Sequence, residues 1–460
     1  MNQNIILDTD SYKASHFLQY PPKTEALFAY LESRGGKYDT TVFFGLQYLL
    51  TEYLTKPPTM QDVDQAALFF KAHGLPFPYD AWATVARMKY IPLRIRAVAE
   101  GTVVPTGNAL VTVQSTDPSA FWMVTWFETM LMRLWYPITV ATQSREIKKL
   151  IKIYLDQSSD DPDSEIAFKL HDFGSRGVSS RESAGIGGMS HLVNFMGSDT
   201  VWGVMFANEY YHEKMAGFSI PAAEHSTVTT WGRDGEAQAF GNMLKQFAKP
   251  GSTLAVVSDS YDLDNAVSNI WGKQLKQQVI DSGATVVIRP DSGNPTLMIL
   301  NTLSRLDAAF GSTQNSKGYK VLNHNVRVIQ GDGVNQDSIG DILSSVVSSG
   351  YSATNLAFGM GGALLQQVNR DTQRFAYKVS AAKIDGKWVD VRKEPITDPG
   401  KWSKGGRLHL VKDESGNFKT VTFSDMESDL YKRDFLETVF ENGKLDHTTT
   451  FAKVRKLAEL

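Results

Sequence analysis

Apolar residues change their spacing along the chain, and the changes mark its organisation. In the first third, two patterns mix. Leu46 to Leu54 and Met60 to His73 place apolar residues at helical spacing. Leu93-Arg94-Ile95-Arg96-Ala97-Val98 and Leu110-Val111-Thr112-Val113 instead alternate, with Gly101 and Pro105-Thr106-Gly107 between them as turn residues. Alternation of that kind predicts a small antiparallel sheet. Two helices are expected next, one rich in aromatics near 119–135 and one amphipathic near 143–156 through Ile147, Leu150, Ile151 and Tyr154. The run Tyr136–Ser144 between them carries no clear period.

From about residue 165 short apolar runs end in polar or glycine-rich tips, each followed by a stretch of helical spacing. The tips are His171-Asp172-Phe173-Gly174, Glu224-His225-Ser226, Ser258-Asp259-Ser260, Arg289-Pro290-Asp291-Ser292-Gly293, Gly331-Asp332-Gly333 and Gly359-Met360-Gly361-Gly362. β-rich runs such as Leu254–Val257, Thr285–Ile288, Val326–Ile329 and Leu356–Phe358 precede several of them. Tips roughly 30 to 50 residues apart leave room for a strand, a loop and a returning helix. Repeated β-tip-α units predict a parallel α/β barrel of the TIM type, complete or incomplete, whose reactive face is made by the strand ends. An open doubly wound sheet gives similar local signals, but gathers ligands at one crevice rather than at six tips.

After about residue 380 the pattern is β again, with a hairpin expected from Gly406–Val411 and Phe418–Phe423 around Gly416. Pro395 to Gly406 is loop-like. The organisation expected is a β-rich α+β flanking domain in two pieces, residues 1–165 and 381–460, around a barrel at 166–380.

Composition narrows the function classes. The 460 residues are 42% hydrophobic and 21% charged, an ordinary globular balance. Lys and Arg total 47 against 50 Asp and Glu, which argues against nucleic-acid binding by bulk positive charge. The absence of Cys removes disulfides, thiolate zinc sites and a cysteine nucleophile, and fits a reducing, cytoplasmic location. Asp8 and Asp10 stand where a signal peptide needs its apolar run, and Phe121–Tyr136 carries Glu128 and Arg133, too polar to span a membrane.

Several tips carry chemistry. Gly359-x-Gly361-Gly362 ahead of Ala363–Val368 offers bare backbone amides at a helix start, a phosphate cradle or a plain tight turn. Arg370 and Lys378 follow closely enough to close on the same anion, or else decorate a solvated helix face. Arg289 and Asp291 join a forked cation to a carboxylate. They suit phosphate and ribose or magnesium, or else pair internally as a helix cap. Asp259 and Asp332 occupy equivalent tips, with a shared sugar or metal role or a capping role. His225 beside Glu224 is a nucleophile or a structural histidine, and a pairing of the two needs a bend or helix start. No HxxxH or HExxH spacing supports zinc. From pattern alone Tyr12 and Arg34 belong to a cap region and a surface charge.

The motifs TDSYKASH (9–16), KLHDFGSRGVSS (169–180), NFMGSDTV (194–201), SIPAAEHST (219–227), VVSDSYD (256–262), IRPDSGNP (288–295), VIQGDGV (328–334) and AFGMGGALLQ (357–366) resemble, in order, those of the nicotinamide phosphoribosyltransferases. These form a type II phosphoribosyltransferase family related to the nicotinate phosphoribosyltransferases. The resemblance implies transfer of a 5-phosphoribosyl group from phosphoribosyl pyrophosphate to nicotinamide, in a homodimer with active sites at the subunit interface. It implies that Tyr12 of one subunit stacks on the pyridine ring opposite Phe173 of the other, and that Arg34 crosses to the pyrophosphate. Asp199 then accepts from the carboxamide, with Arg289 on its other side or on a nearby phosphate. Asp291, Gly331 and Asp332 hold ribose hydroxyls, and Gly361, Gly362 and Arg370 the 5′-phosphate. Arg176 and Lys378 face pyrophosphate. His225 becomes a phosphohistidine that couples ATP hydrolysis to turnover as an enhancing side reaction, and magnesium is held mainly by pyrophosphate.

Two departures from animal members stand out. Ser175 replaces an aromatic residue, and Gly35-Gly36-Lys37 leads almost directly to Thr41–Gly45 without their charged insertion. The competing readings are a nicotinate phosphoribosyltransferase, against which Asp199 speaks, a non-catalytic nucleotide-binding barrel, and an oxidoreductase, for which no Gly-x-Gly-x-x-Gly follows an early strand.

Overall fold

A computed structural model describes residues 4–397, 402–426 and 433–460, so 398–401 of the loop-like stretch lie outside the described residues. The chain forms two compact units, one of residues 1–142, 209–213 and 369–459, the other principally of 143–208 and 214–368.

The first unit is built on a seven-stranded sheet in the order Lys387–Asp390, Phe375–Ile384, Thr24–Ser33, Ala109–Ser115, Leu93–Ala97, Glu437–Glu441, Lys444–Leu445. Every neighbouring pair is antiparallel. The two alternating runs are adjacent strands, with Ile95 opposite Val113 and both fully buried. The tail hairpin forms from Leu408–Lys412 and Phe418–Thr422. Met60–Ala72 is a helix started by a capping box between Thr59 and Asp62.

One expectation fails here. The aromatic-rich segment is not one helix but short turns at Pro118–Ala120, Met123–Trp126 and Glu128–Met132. Trp122 and Trp126 pack edge-to-face on Trp82 and on each other, and Trp126 on Phe70, so side-chain packing overrides helical continuity. The period-less Tyr136–Ser144 lies inside a helix running Trp135–Ser158. Pro137 falls in its first turn, where the missing N–H costs nothing.

The second unit holds a six-stranded parallel sheet in the order Gly197–Ser198, Leu170–Asp172, Leu356–Met360, Val326–Gln330, Thr285–Arg289, Thr253–Val257. All its pairs are parallel, and helices such as Pro295–Phe310 and Gln336–Ser348 return between strands. Phe218 bridges Gly197 at one edge and Ala222 bridges Ala255 at the other. Five residues, Phe218 to Ala222, cannot reach both edges of a flat six-stranded sheet, whose strands are about 4.8 Å apart, so the sheet curls into a half-barrel. Its inner face buries Ala255, Val287 and Ile329, with Phe173, Ile220 and Ala357 packed on them. The architecture is thus mixed α/β, a parallel half-barrel sheet accompanied by antiparallel sheets. Among the described residues no helix is long and apolar enough to cross a membrane.

Candidate active site

The polar tips meet at the carboxyl ends of the parallel strands. Phe173 follows Leu170–Asp172 and donates its N–H to the Met360 carbonyl at 3.0 Å, which ties two strand ends together. Beside it, Gly359 lies so close that a Cβ there would sit 1.9 Å from Cε2 of the Phe173 ring. The Arg289 guanidinium stands 5.6 Å from the ring centroid, within cation–π range.

Phe173 and Asp199 share a cavity of about 680 Å³ with His171, Ser219, Ile220 and Ala255. Ser219 donates its hydroxyl to Asp199 at 2.5 Å. His171 is largely buried, and burial pushes its imidazole below the usual histidine range despite the attraction of Asp199. Behind Phe173, Asp172 accepts from the Gly174 N–H at 2.7 Å, and burial pushes its carboxyl up to about 6. Glu165, Lys169, His324 and Arg327 also line the cavity, with Glu165 paired to Lys169 at 3.0 Å. Asp199, beside Phe173 and Ile220, is the carboxylate placed for a flat heteroaromatic amide.

At the neighbouring tips Arg289 Nη2 donates to Asp291 Oδ1 at 2.6 Å, so the two form the internal pair left open by the sequence. Neither Asp291 nor its equivalents cap the following helices. Those caps are Asn294, Asp262 and Asn335. Asp259 accepts from the Asp291 N–H and the Ser292 hydroxyl through Oδ2, while its buried Oδ1 has no hydrogen-bond partner. His225 is the first residue of a short helix, His225–Thr229, which supplies the helix start that its motif requires. Its Nε2 lies 3.4 Å from Asp291 and 3.8 Å from Asp259, and its Nδ1 3.1 Å from the Ser260 hydroxyl. Glu224 is turned to Ser226 instead.

A Cβ on Gly331 would meet the Arg289 Nε at 3.0 Å, so glycine lets that guanidinium lie on the backbone. Asp332, next to it, is exposed. The Arg176 loop meets the glycine-rich tip, since a Cβ on Gly177 would come within 3.3 Å of the Gly362 Cα. By contrast, a Cβ on Gly362 would meet nothing within 4 Å. Packing alone does not require glycine there, but close approach of a phosphate would. The helix after Gly361 is only Gly362–Leu365, shorter than the sequence suggests.

Arg370 and Lys378 correct a further expectation, for they do not continue that helix. Arg370 begins a short turn and Lys378 lies in the strand Phe375–Ile384 of the first unit. With Arg34 they line a cavity of about 500 Å³ that also holds Arg374, Lys393 and Glu128. Burial, with Lys393, Arg34 and Lys13 nearby, holds the Lys378 ammonium below the usual lysine range, and Glu128 opposes this. Five cations around one cavity suit a polyphosphate. Tyr12, also in this unit, is 58% exposed.

Sequence reasoning missed His171 and Ser219 beside Asp199, Ser260 on the His225 ring, and Arg374, Lys393 and Glu128 in the basic cavity. His171, Ser219 and Ser260 stood inside quoted motifs. The cavity residues gave no local signal.

Comparison with known proteins agrees with this geometry. Residues 168–444 match the model of the nicotinate phosphoribosyltransferase (NAPRTase) family, and residues 4–95 that of the nicotinamide phosphoribosyltransferase N-terminal domain. The chain is 53% identical to a nicotinamide phosphoribosyltransferase of Xanthomonas campestris pv. campestris over 460 residues, covering 99% of this chain and 98% of that one. It is 34% identical to one from Mycoplasma genitalium, covering 87% of this chain and 94% of that one. In fold it resembles a nicotinate-nucleotide pyrophosphorylase from Pyrococcus furiosus, with a TM-score of 0.64 at 15% identity, covering 100% of this chain and 95% of that one. These matches, spanning both units and the whole set of strand-end motifs, place the chain in the nicotinate phosphoribosyltransferase family, alongside its nicotinamide phosphoribosyltransferases.

Proposed function

We propose that the protein transfers the 5-phosphoribosyl group from phosphoribosyl pyrophosphate to nicotinamide, releasing pyrophosphate and nicotinamide mononucleotide for NAD salvage. The observation that carries this is the meeting of Phe173, Asp199 and Arg289 at one end of the parallel sheet, with Asp199 facing into the cavity. Phe173 supplies a ring face for the pyridine, and Asp199 accepts from the carboxamide N–H. Asp291 and Asp332 take ribose hydroxyls beside Gly331, and the amides of Gly361 and Gly362, with Arg176, take the 5′-phosphate.

The parallel sheet then works as an α/β barrel that fixes these groups before the chemistry begins. The pyridine nitrogen attacks the anomeric carbon as the bond to pyrophosphate oxygen breaks, and both electrons of that bond leave with pyrophosphate. The ring nitrogen carries no proton, so no general base is needed. Charge gathers on the departing pyrophosphate, and fixed cations are the main demand on the catalyst.

In a homodimer, Tyr12 of the partner subunit covers the second face of the pyridine. The cavity of Arg34, Arg370, Arg374, Lys378 and Lys393 is the complementary polyphosphate clamp. Magnesium fits the donors present. Among the described residues no group of three or more His, Asp or Glu is placed to hold a metal ion by itself. Asp259, with its unpartnered buried oxygen, and Asp291 supply the one or two carboxylates that magnesium takes when phosphates complete its shell. When bound, the ion would neutralise part of the pyrophosphate charge.

His225, ringed by Asp259, Asp291 and Ser260, is proposed to accept a phosphoryl group from ATP, whose hydrolysis enhances turnover. His225→Ala is expected to abolish ATP hydrolysis and the ATP-dependent gain in rate. Phosphate release and product formation, measured with and without ATP, check this, and retention of both effects would refute the role.

The whole reading is tested by mass spectrometry of the product, with nicotinamide and nicotinate offered together with phosphoribosyl pyrophosphate and magnesium. Nicotinamide mononucleotide should dominate. No nucleotide product from either base would restore a non-catalytic binding role.

A further inference from the structure

The exposed ring of Tyr12 does not stand on a free end. Its segment is laced to the turns at 123–133. Asp8 pairs with Arg133 at 2.6 Å, the Thr9 hydroxyl donates to the Trp126 carbonyl at 2.8 Å, and the Thr129 hydroxyl donates to Asp10 at 2.6 Å. Asp10 precedes the helical turn Ser11–Leu18, yet its side chain makes no capping bond and is spent on this tether. The innermost rung is Lys13. Its side chain is 2% exposed, and its ammonium donates to Glu128 at 2.6 Å. The same ammonium lies 5.4 Å from the Tyr12 ring centroid, and His16 meets that ring edge-on at 4.9 Å. Glu128 in turn lines the basic cavity with Arg34, Arg370, Arg374, Lys378 and Lys393.

We infer that Glu128 and Lys13 form a positioning couple that joins two binding events: Lys13 fixes the Tyr12 ring from below, and Glu128 both holds Lys13 and acts as a charge brake on the polyphosphate cavity. This rests on the proposed roles of Tyr12 and of that cavity. A buried ammonium is tolerated only with its counter-charge, so loss of Glu128 frees Lys13 and with it the ring. Asp371 also lines the cavity, but it is exposed and pairs with Arg370 at 3.2 Å. Glu32 pairs with Arg34 at 3.0 Å but does not line the cavity. Glu128 is therefore the lining carboxylate that sets how strongly the half-buried Arg34 and Lys378 attract an anion.

The couple makes the two sites respond in opposite directions. In Glu128→Gln, inorganic pyrophosphate should bind at least threefold tighter by titration calorimetry, while KM for nicotinamide rises at least fivefold and kcat changes less. Lys13→Met should raise KM for nicotinamide likewise. It should weaken pyrophosphate binding at least threefold, because Glu128 is left unpaired beside the cavity. The double variant removes both charges and leaves no lone buried ion, so it should fold even where a single variant does not. Its pyrophosphate affinity should return to within twofold of the starting protein while KM for nicotinamide stays high.

Pyrophosphate affinity that shifts in the same direction in both single variants, or in neither, would overturn the couple. So would an unchanged nicotinamide KM in the double variant. The pyrophosphate arm needs no turnover. If the unaltered protein makes no nicotinamide mononucleotide, the proposed reaction fails while the calorimetry still decides the charge brake.

Discussion

Asp199→Asn is expected to shrink the preference for nicotinamide over nicotinate from at least ~100-fold to within about fivefold, mainly by raising the rate on nicotinate. A 100-fold preference corresponds to about 2.7 kcal/mol in the transition state. Two like charges about 4 Å apart cost about 4 kcal/mol at an effective dielectric constant near 20, so one carboxylate suffices. Ser219 occupies only Oδ1, and burial pushes the His171 imidazole, which also lines the cavity, towards its neutral form rather than letting it cancel the negative charge. Asparagine keeps the size and the Ser219 contact, and presents either an amide N–H to nicotinate or a carbonyl to nicotinamide. Competition between the two bases, read as the ratio of their kcat/KM values, decides the matter. Equal use of both by the unaltered protein, or an undiminished preference in the asparagine variant, would remove Asp199 from specificity.

The strand-end motifs were legible because a buried parallel strand is a short apolar run, and the polar residues that stop it must face a cavity or water. Asp259, Arg289, Gly331 and Gly359 were found on that ground alone, and the structure brings Asp259 and Gly331 against the Arg289–Asp291 pair and Gly359 against Phe173. Where elements are too short to show a period, the same reasoning fails. Gly197–Ser198 is a two-residue strand, and Phe218–Ala222 pairs with the strands beside it through isolated bridges. The Tyr136–Ser144 stretch hid its helix because β-branched Ile138, Thr139, Val140 and Thr142 lower helical propensity, while burial of Ile138, Val140 and Ala141 supplies the compensation. Arg34 and Lys393 were beyond any local rule. They come together only because the strand Phe375–Ile384 pairs with Thr24–Ser33, a contact across most of the chain length. The positive φ of Arg374, 47°, marks the sharp entry into that strand, but nothing in its neighbours announces it.

Gly359→Ala should be the most damaging methyl group that can be added to the site. Its Cβ would lie 1.9 Å from Cε2 and 2.2 Å from Cδ2 of Phe173, far inside contact distance. The strand cannot back away, because Gly359 is in register with His171 and the Phe173 N–H is bonded to Met360. The ring must therefore move. Toward the sheet interior it meets Ala255, Val287 and Ile329, and toward the strand ends the Arg289 guanidinium. The space left is the cavity in which the pyridine is proposed to lie. A misplacement of about 1 Å in a positioning group costs on the order of 10²-fold in rate, so kcat/KM for nicotinamide should fall at least that far. Forcing the extra methyl into packed surroundings should cost about 1–3 kcal/mol in stability, measured by denaturant unfolding. Pyrophosphate binding should stay within twofold, because the basic cavity of Arg34 and Lys378 contains no part of this strand. A variant that folds and turns over nicotinamide at the original rate would show that the Phe173 ring does not define the base pocket. One that loses both activities together would show unfolding rather than displacement of a single ring.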